Sequence, residues 1–350
     1  VTRRPGVAPV GILLGAGLGL VLTACADSSG RTSPPTTPRP STTSTTRAAL
    51  PLAPLTGLPA RSRASAARPS LGVKIENTPE ARPQSGLDRA DIVFEEVVEG
   101  GITRFWAFFQ SEAPATVGPI RSVRPMDPNI ILPFGGIVAF SGGTAENVAA
   151  VRATGLLTID EGNAGDAFFR EPTRAAPHNL YGRTASLWAR GAGLAPPSPM
   201  FRYRVDDSPV GGEPVASVRV GLQGGYDVTY AWDARRHDWA RYTNGTQPFM
   251  AAGKSPVQVA PANVVVQLVA YGRGADGDVM GSGEALVFTG GHLVRGRWAK
   301  AFPPAPTQLL DAFGAPIALA PGSTWVELVP IGTSVDLDVG EVGLGDINLG

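Results

Sequence analysis

Residues 91–109 read DIVFEEVVEGGITRFWAFF, and this stretch decides the fold. Two runs rich in Val, Ile, Phe and Trp flank Gly100 and Gly101, the pair of residues best able to take the positive φ angles of a two-residue hairpin turn. Residues 91–99 and 102–109 are therefore expected to form antiparallel strands, with Glu99 opposite Ile102 and Val97 opposite Arg104. In that register one face carries Glu95, Val97, Glu99, Arg104, Trp106, Phe108 and Gln110. The other carries Phe94, Val98, Phe105, Ala107 and Phe109 and reads as the dry core. The first mixes opposite charges with aromatic rings, as a partly buried polar layer or a binding surface does.

Upstream, Val73 and Ile75 mark another strand, followed by a polar loop through Pro83 and Gly86. Downstream, residues 118–124 (GPIRSVR) lead to Asp127 and Pro128, an N-cap and first-turn pair for a short helix. Pro125 disfavours helical geometry at Arg124, so both arginines belong to a loop ahead of that helix. A buried strand over 137–140 runs through Ser141, Gly142, Gly143 and Thr144 into a helix over 145–154 that Gly155 stops. That turn is either a simple tight connection or an anion cradle at a helix N-terminus, and it lacks the Walker lysine. From about Val215 onward short β-rich runs (226–232, 239–242, 264–271, 285–289 and 324–329) alternate with turn residues. The Pro/Gly-rich segment 195–214 is the expected boundary between the two halves.

Composition agrees with a strand-and-loop protein. The chain has 350 residues, 43% of them hydrophobic, with 44 Gly and 33 Pro. Thirty basic and 30 acidic side chains cancel, so no global field recruits nucleic acid. A single cysteine excludes an internal disulfide and a multi-cysteine zinc site, and three scattered histidines show no metal-ligand spacing. No metal and no cofactor are expected.

The cysteine has another reading. Arg3 and Arg4 precede an uncharged run over 7–24 that ends Leu22-Thr23-Ala24-Cys25, a secretory signal with small residues before the cysteine. Those four residues resemble the bacterial lipobox, in which the cysteine receives a diacylglyceryl group and becomes the mature N-terminus. Pro9 and four glycines make the alternative, an uncleaved membrane helix, a poor one. Ser, Thr and Pro then fill 16 of the 20 positions from 28 to 47, a composition that cannot offset its ordering entropy and reads as a disordered stalk. The expected organisation is a signal peptide over 1–24, a lipidated stalk over 25–50, a folded unit over 51–200, a second over 201–330 and an acidic tail over 331–350. This places the protein at the outer, extracytoplasmic face of the cell membrane, held by its N-terminal lipid.

At PLTG (54–57), ARPQSGL (81–87), ADIV (90–93), EGGITRF (99–105), GPIRS (118–122) and APHN (176–179) the chain resembles the YerB-like bacterial lipoproteins. The likeness continues through Tyr226, Val228, Thr229, Tyr230, Arg241, Tyr242, Asn244, Gly245, Asn263, Val264 and PGSTWV (321–326), so it spans about residues 54–330. The resemblance implies two adjacent modules of unknown function: an N-terminal layered α/β sandwich-like module and a smaller, mainly β C-terminal one. It implies no activity and no catalytic residue.

The motifs nevertheless carry chemistry. Arg104, Arg121, Arg124 and Arg170, with Ser122, form a candidate receptor for phosphate or carboxylate, since guanidinium groups bind oxyanions bidentately. Glu99 and Thr103 from the hairpin, and His178 and Asn179 from APHN, complete the candidate site. The competing structural role is that Glu95 and Glu99 neutralise Arg104 while the other arginines pin loops. His178 is a candidate general base. No nucleophile–base–orienter set can be named, so binding of an anionic or phosphorylated cell-envelope ligand is favoured over hydrolysis or group transfer on such a ligand, and whether the chain is an enzyme is left open.

Overall fold

The computed structural model describes residues 49–205, 211–272 and 276–339. The expected signal peptide, Cys25, the stalk up to residue 48 and the last eleven residues of the acidic tail lie outside them.

The elements that matter follow in chain order: β1 (Leu71–Glu76), β2 (Ile92–Val97), β3 (Thr103–Phe109), α1 (Asp127–Ile131), β4 (Ile137–Ala139), α2 (Ala145–Ala153) and β5 (Leu157–Ile159). The second half supplies β6 (Glu213–Pro214), β7 (Ser217–Gly221), β8 (Asp227–Asp233), β9 (Asp238–Thr243), β10 (Asn263–Tyr271), β11 (Gly281–Thr289), β12 (His292–Lys300), β13 (Thr324–Pro330) and β14 (Val335–Asp338). The chain is mixed but strand-rich.

One sheet runs in the order β6-β12-β11-β10-β13-β2-β3-β1-β4-β5, with two further short strands beside it. Its centre joins the two halves of the sequence, because β13 pairs in parallel with β10 on one side and with β2 on the other. The strands β1, β2 and β3 are buried at every position, which is why they read as near-continuous apolar runs with few exposed residues to mark a face. On one side Trp106 and Phe108 pack with Ile130 and Ile131 of α1, Val151 of α2 and Phe134. On the other, Phe105 and Trp325 pack with Phe249 and with Val218, Tyr230 and Trp239 of a smaller sheet built from Gln247–Pro248, β9, β8, β7 and β14. Strand β14 lies in the stretch read as an acidic tail and is antiparallel to β7.

The hairpin forms, but its register corrects the expectation. Its turn is three residues long, Glu99-Gly100-Gly101, with φ of 76° at Gly100 and 72° at Gly101, and the Val98 amide donates to the Ile102 carbonyl at 2.8 Å. Val97 therefore faces Thr103, and Glu96 faces Arg104. One residue of slip moves every β2 side chain to the other face. Glu96, not Glu95, shares the face of Arg104, Trp106 and Phe108, while Glu95 lies with Phe105 and Thr103.

The loop and helix readings hold with one change. Gly155, at φ 74°, follows α2, and the Thr144 hydroxyl caps the helix by accepting the Asn147 amide at 3.2 Å. Asp127 is not a solvent-facing cap. It is fully buried as the first residue of α1, and its Oδ2 accepts the Arg124 amide at 2.7 Å.

Candidate functional site

The charged residues gather where β1 ends and β3 begins. Glu76 closes β1 directly opposite Arg104. The segment 118–124 runs past this end of the sheet, fastened at both edges. The Glu76 amide donates to the Pro119 carbonyl at 2.9 Å and the Arg121 amide to the Lys74 carbonyl at 2.9 Å, while Ser141 donates to Arg121 at 3.0 Å and Val123 to Gly142 at 2.9 Å. Arg121 and Arg124 are thus held on a loop ahead of the helix, as the proline after Arg124 required. Three cis X-Pro bonds, at Pro83, Pro119 and Pro177, fall in the loops around this point.

Glu76 is the hub. Its carboxylate is 1% exposed, and Oε1 takes the Arg121 Nε at 3.2 Å, the His178 Nδ1 at 2.9 Å and the Thr78 hydroxyl at 3.1 Å. The arginine contact is ionic, its N–H not aligned for a hydrogen bond, and Oε2 has no hydrogen-bond donor among the described residues. Arg104 donates Nη1 to the Ser122 carbonyl at 2.9 Å and holds Nη2 3.9 Å from Glu99, while its buried Nε has no acceptor among the described residues. Burial, and next to it the charges of Arg124 and Arg121, lower this guanidinium to about 10. Arg124 clamps both carboxylate oxygens of Glu99, its Nε at 2.6 Å, and turns Nη1 onto the Val123 carbonyl at 2.8 Å. The Arg124 hydrogen bonds hold the Glu99 carboxyl below its usual range. The hydroxyls of Ser122 and Ser141 lie 3.5 Å apart beside this group.

Six of the nine candidates therefore come together: Glu99, Arg104, Arg121, Ser122, Arg124 and His178. Thr103 does not join them. Alternation along β3 puts it on the face opposite Arg104, where the corrected register brings Glu95 to accept its hydroxyl at 2.6 Å. Arg170 is engaged elsewhere, with Asn179 Oδ1 at 2.8 Å and Glu161 at 3.0 Å, so it and Asn179 brace the Ala176–Asn179 turn rather than the arginine group.

Sequence reading missed two buried networks. Behind Arg124, Lys74 binds Glu96 and, at 2.9 Å, Asp127, all with fully buried side chains. Burial, with Asp127 next to it, pushes the Glu96 carboxyl up to about 8. The signal was Lys74 and Glu76 alternating with Val73 and Ile75 in an otherwise apolar strand. Across the sheet, Arg241 of β9 reaches Glu95 at 2.6 Å and the Tyr226 hydroxyl at 2.9 Å, while Tyr230 donates to Glu327. Glu95 and Glu327 are register partners on β2 and β13. Burial and this second carboxyl raise Glu327 well above the carboxylate range. The expected neutralisation of Arg104 by Glu95 does not occur, because Glu95 serves Arg241.

A groove of about 550 Å³ between Asp88, Arg89, Glu112 and the Ala251–Val257 hairpin shares no residue with the arginine group. Among the described residues no three His, Cys, Asp or Glu side chains converge as a metal site, and no helix is long and apolar enough to cross a membrane.

A strand-rich chain with these ordered loop motifs matches two adjoining family profiles. Residues 55–195 match the protein of unknown function (DUF3048) N-terminal domain, and residues 217–326 match its C-terminal domain. The chain belongs to this family. It is 30% identical to "Putative lipoprotein YerB" of Bacillus subtilis (strain 168), over 84% of this chain and 89% of that protein. The crystal structure of the YerB protein from Bacillus subtilis superposes with a TM-score of 0.69 at 27% identity, covering 81% of this chain and 99% of that one.

Proposed function

We propose that the chain is a lipid-anchored extracytoplasmic protein that binds an anionic, phosphorylated cell-envelope ligand through Arg104, Arg121 and Arg124. One observation carries this reading. Three guanidinium groups surround two carboxylates, Glu76 and Glu99, and the most buried of the three retains an N–H without an acceptor among the described residues. Arg121, Arg124 and His178 keep 21%, 12% and 22% of their side-chain surface exposed, so an oxyanion reaches the group from solvent. A phosphorylated glycan, a polyprenyl-phosphate head group and a wall polymer all present such an oxyanion. Arg121→Ala should weaken binding to phosphorylated envelope fragments several fold or more, since a charge-assisted hydrogen bond contributes about 1.5–3 kcal/mol. Thermal unfolding is measured on the same variant: unchanged binding with a clearly lower melting point rejects the reading and makes Arg121 a loop brace.

Anchoring is carried by the lipobox-like LTAC (22–25) together with the name of the Bacillus relative. A mature chain found without acyl groups on Cys25 refutes it.

A second reading, hydrolysis or transfer on the same ligand, is favoured by the contact of His178 with Glu76. With Nδ1–H donating to the carboxylate, Nε2 keeps its lone pair and serves as acid/base. His178→Ala would then abolish turnover of a phosphorylated fragment while leaving binding intact.

A further inference from the structure

We infer that the Glu99 carboxylate is a built-in stand-in for the ligand's oxyanion, and that a terminal phosphoryl group binds by displacing it from Arg124 and Arg104. This deepens the binding reading above and rests on it.

The contacts of Glu99 are those an exogenous oxyanion would make. Arg124 grips both of its oxygens side-on, and Arg104 Nη2 lies 3.9 Å from one of them. The burial is lopsided. The Glu99 side chain is 56% exposed, whereas the arginines it covers are 6% and 12% exposed. The fixed parts of the arrangement are therefore the cations, which are held from below. Arg104 is tied to the Ser122 carbonyl, Arg124 to the Val123 carbonyl, and the Arg124 amide to the buried Asp127. An ion pair with one partner in solvent is cheap to exchange, because water and salt already screen it.

The turn lets the side chain leave without moving the hairpin. Glu99 precedes Gly100, whose missing Cβ faces open space, while a Cβ on Gly224 would lie only 3.0 Å from the Gly101 carbonyl oxygen. The far side of the turn is thus backed by Gly224, and release is a rotation of one side chain.

Charge selects the ligand class. With Glu99 swung out, Arg104, Arg121 and Arg124 face Glu76 alone, three positive charges against one negative with His178 counted as neutral. Two positive charges remain. A terminal phosphoryl group carries about −1.5 to −2 near neutral pH and offers three acceptor oxygens, whereas a carboxylate leaves one charge unmatched. Behind the site the charge of Lys74 is matched by Asp127, and the third member of that buried group, Glu96, is held protonated by its burial, so the trio does not change this balance.

The test uses the full chain carrying Cys25→Ser, so that lipid anchoring does not mask ligand binding. Affinity is measured by calorimetry for glucose 1-phosphate and by sedimentation with phosphatidylcholine vesicles containing phosphatidic acid. These arms separate a soluble phosphorylated glycan from a lipid head group. Glu99→Gln should bind at least fivefold more tightly than the otherwise identical parent in one arm or both, and Arg121→Ala at least fivefold more weakly. If the parent binds and Arg121→Ala loses binding while Glu99→Gln is unchanged or weaker, the stand-in role is overturned and the binding reading survives. If neither parent nor Glu99→Gln binds either probe, both fall. If Glu99→Gln and Glu99→Ala both fail to fold, Glu99 is a structural brace and the inference is overturned as well.

Discussion

Lys74, Glu96 and Asp127 put one cation and two carboxyls in a place with no water to solvate them. Burial of an ionised carboxylate beside another is costly, and the fold answers by keeping Glu96 protonated to about pH 8. In the unfolded chain a glutamate titrates near about 4.3. The proton is therefore held more tightly by the native state, and stability is lost as pH rises between those two values, at up to about 1.4 kcal/mol per pH unit. Denaturant midpoints measured between pH 6.5 and 8 should fall with rising pH, and Glu96→Gln should flatten that fall. Asp91, which burial raises to about 6, titrates mostly below this window; Lys300, which burial lowers to about 8, titrates through its upper end and tilts the slope the other way, and Glu327, raised by burial, tilts it the same way, but both act alike in parent and variant. An unchanged slope in Glu96→Gln would assign the effect to another group. At this scale the sequence was only partly legible. Arg104, Arg121 and Arg124 announced themselves by their placement against Gly and Pro, but Glu76, the carboxylate that organises them, stood in a strand whose apolar neighbours drew the attention.

At the scale of elements, most strands and both helices beside the site could be read from runs of β-branched and aromatic residues and from Pro and Gly stops. The register of the central hairpin could not. A glycine pair fits a two-residue turn as well as it fits the last two positions of a three-residue turn. The usual arbiter, alternation of polar and apolar residues, fails where both faces are buried. The price of that ambiguity was the partner of Arg241. Its guanidinium lies 4.1 Å from the Phe249 ring centre and 4.9 Å from that of Trp325, fully buried, and ties β9 to Glu95 on β2. Removing one member of such a pair strands the other. Arg241→Met should cost about 3–5 kcal/mol in denaturant unfolding, and adding Glu95→Gln should recover a substantial part of it. Equal destabilisation in the single and double variants would mean that Arg241 acts by packing alone.

The whole molecule shows why two family profiles travel together on one chain. Strand β13 belongs to the second half by sequence, yet it lies between β10 and β2, paired along its length with the first and from Thr324 to Leu328 with the second. The ring of Trp325 on β13 meets Phe105 of the first half at 5.3 Å, and Glu327 stands beside Glu95. Such pairing is invisible in composition, because it joins residues more than two hundred positions apart and no local pattern records a parallel neighbour. It has a consequence for any attempt to study the arginine site in isolation. A fragment of residues 49–200 would keep every side chain of that site but would lose β13. The backbone edge of β2 would then be unpaired, and Phe105 and Glu95 on the same face would be uncovered, Glu95 without its arginine. An exposed apolar edge invites association with other chains. That fragment should show no cooperative thermal transition and should aggregate, whereas residues 49–339 should unfold in a single sharp step. A sharp transition in the shorter fragment, with a dispersed amide spectrum, would show that the first half closes its own sheet and that β13 is an addition rather than a requirement.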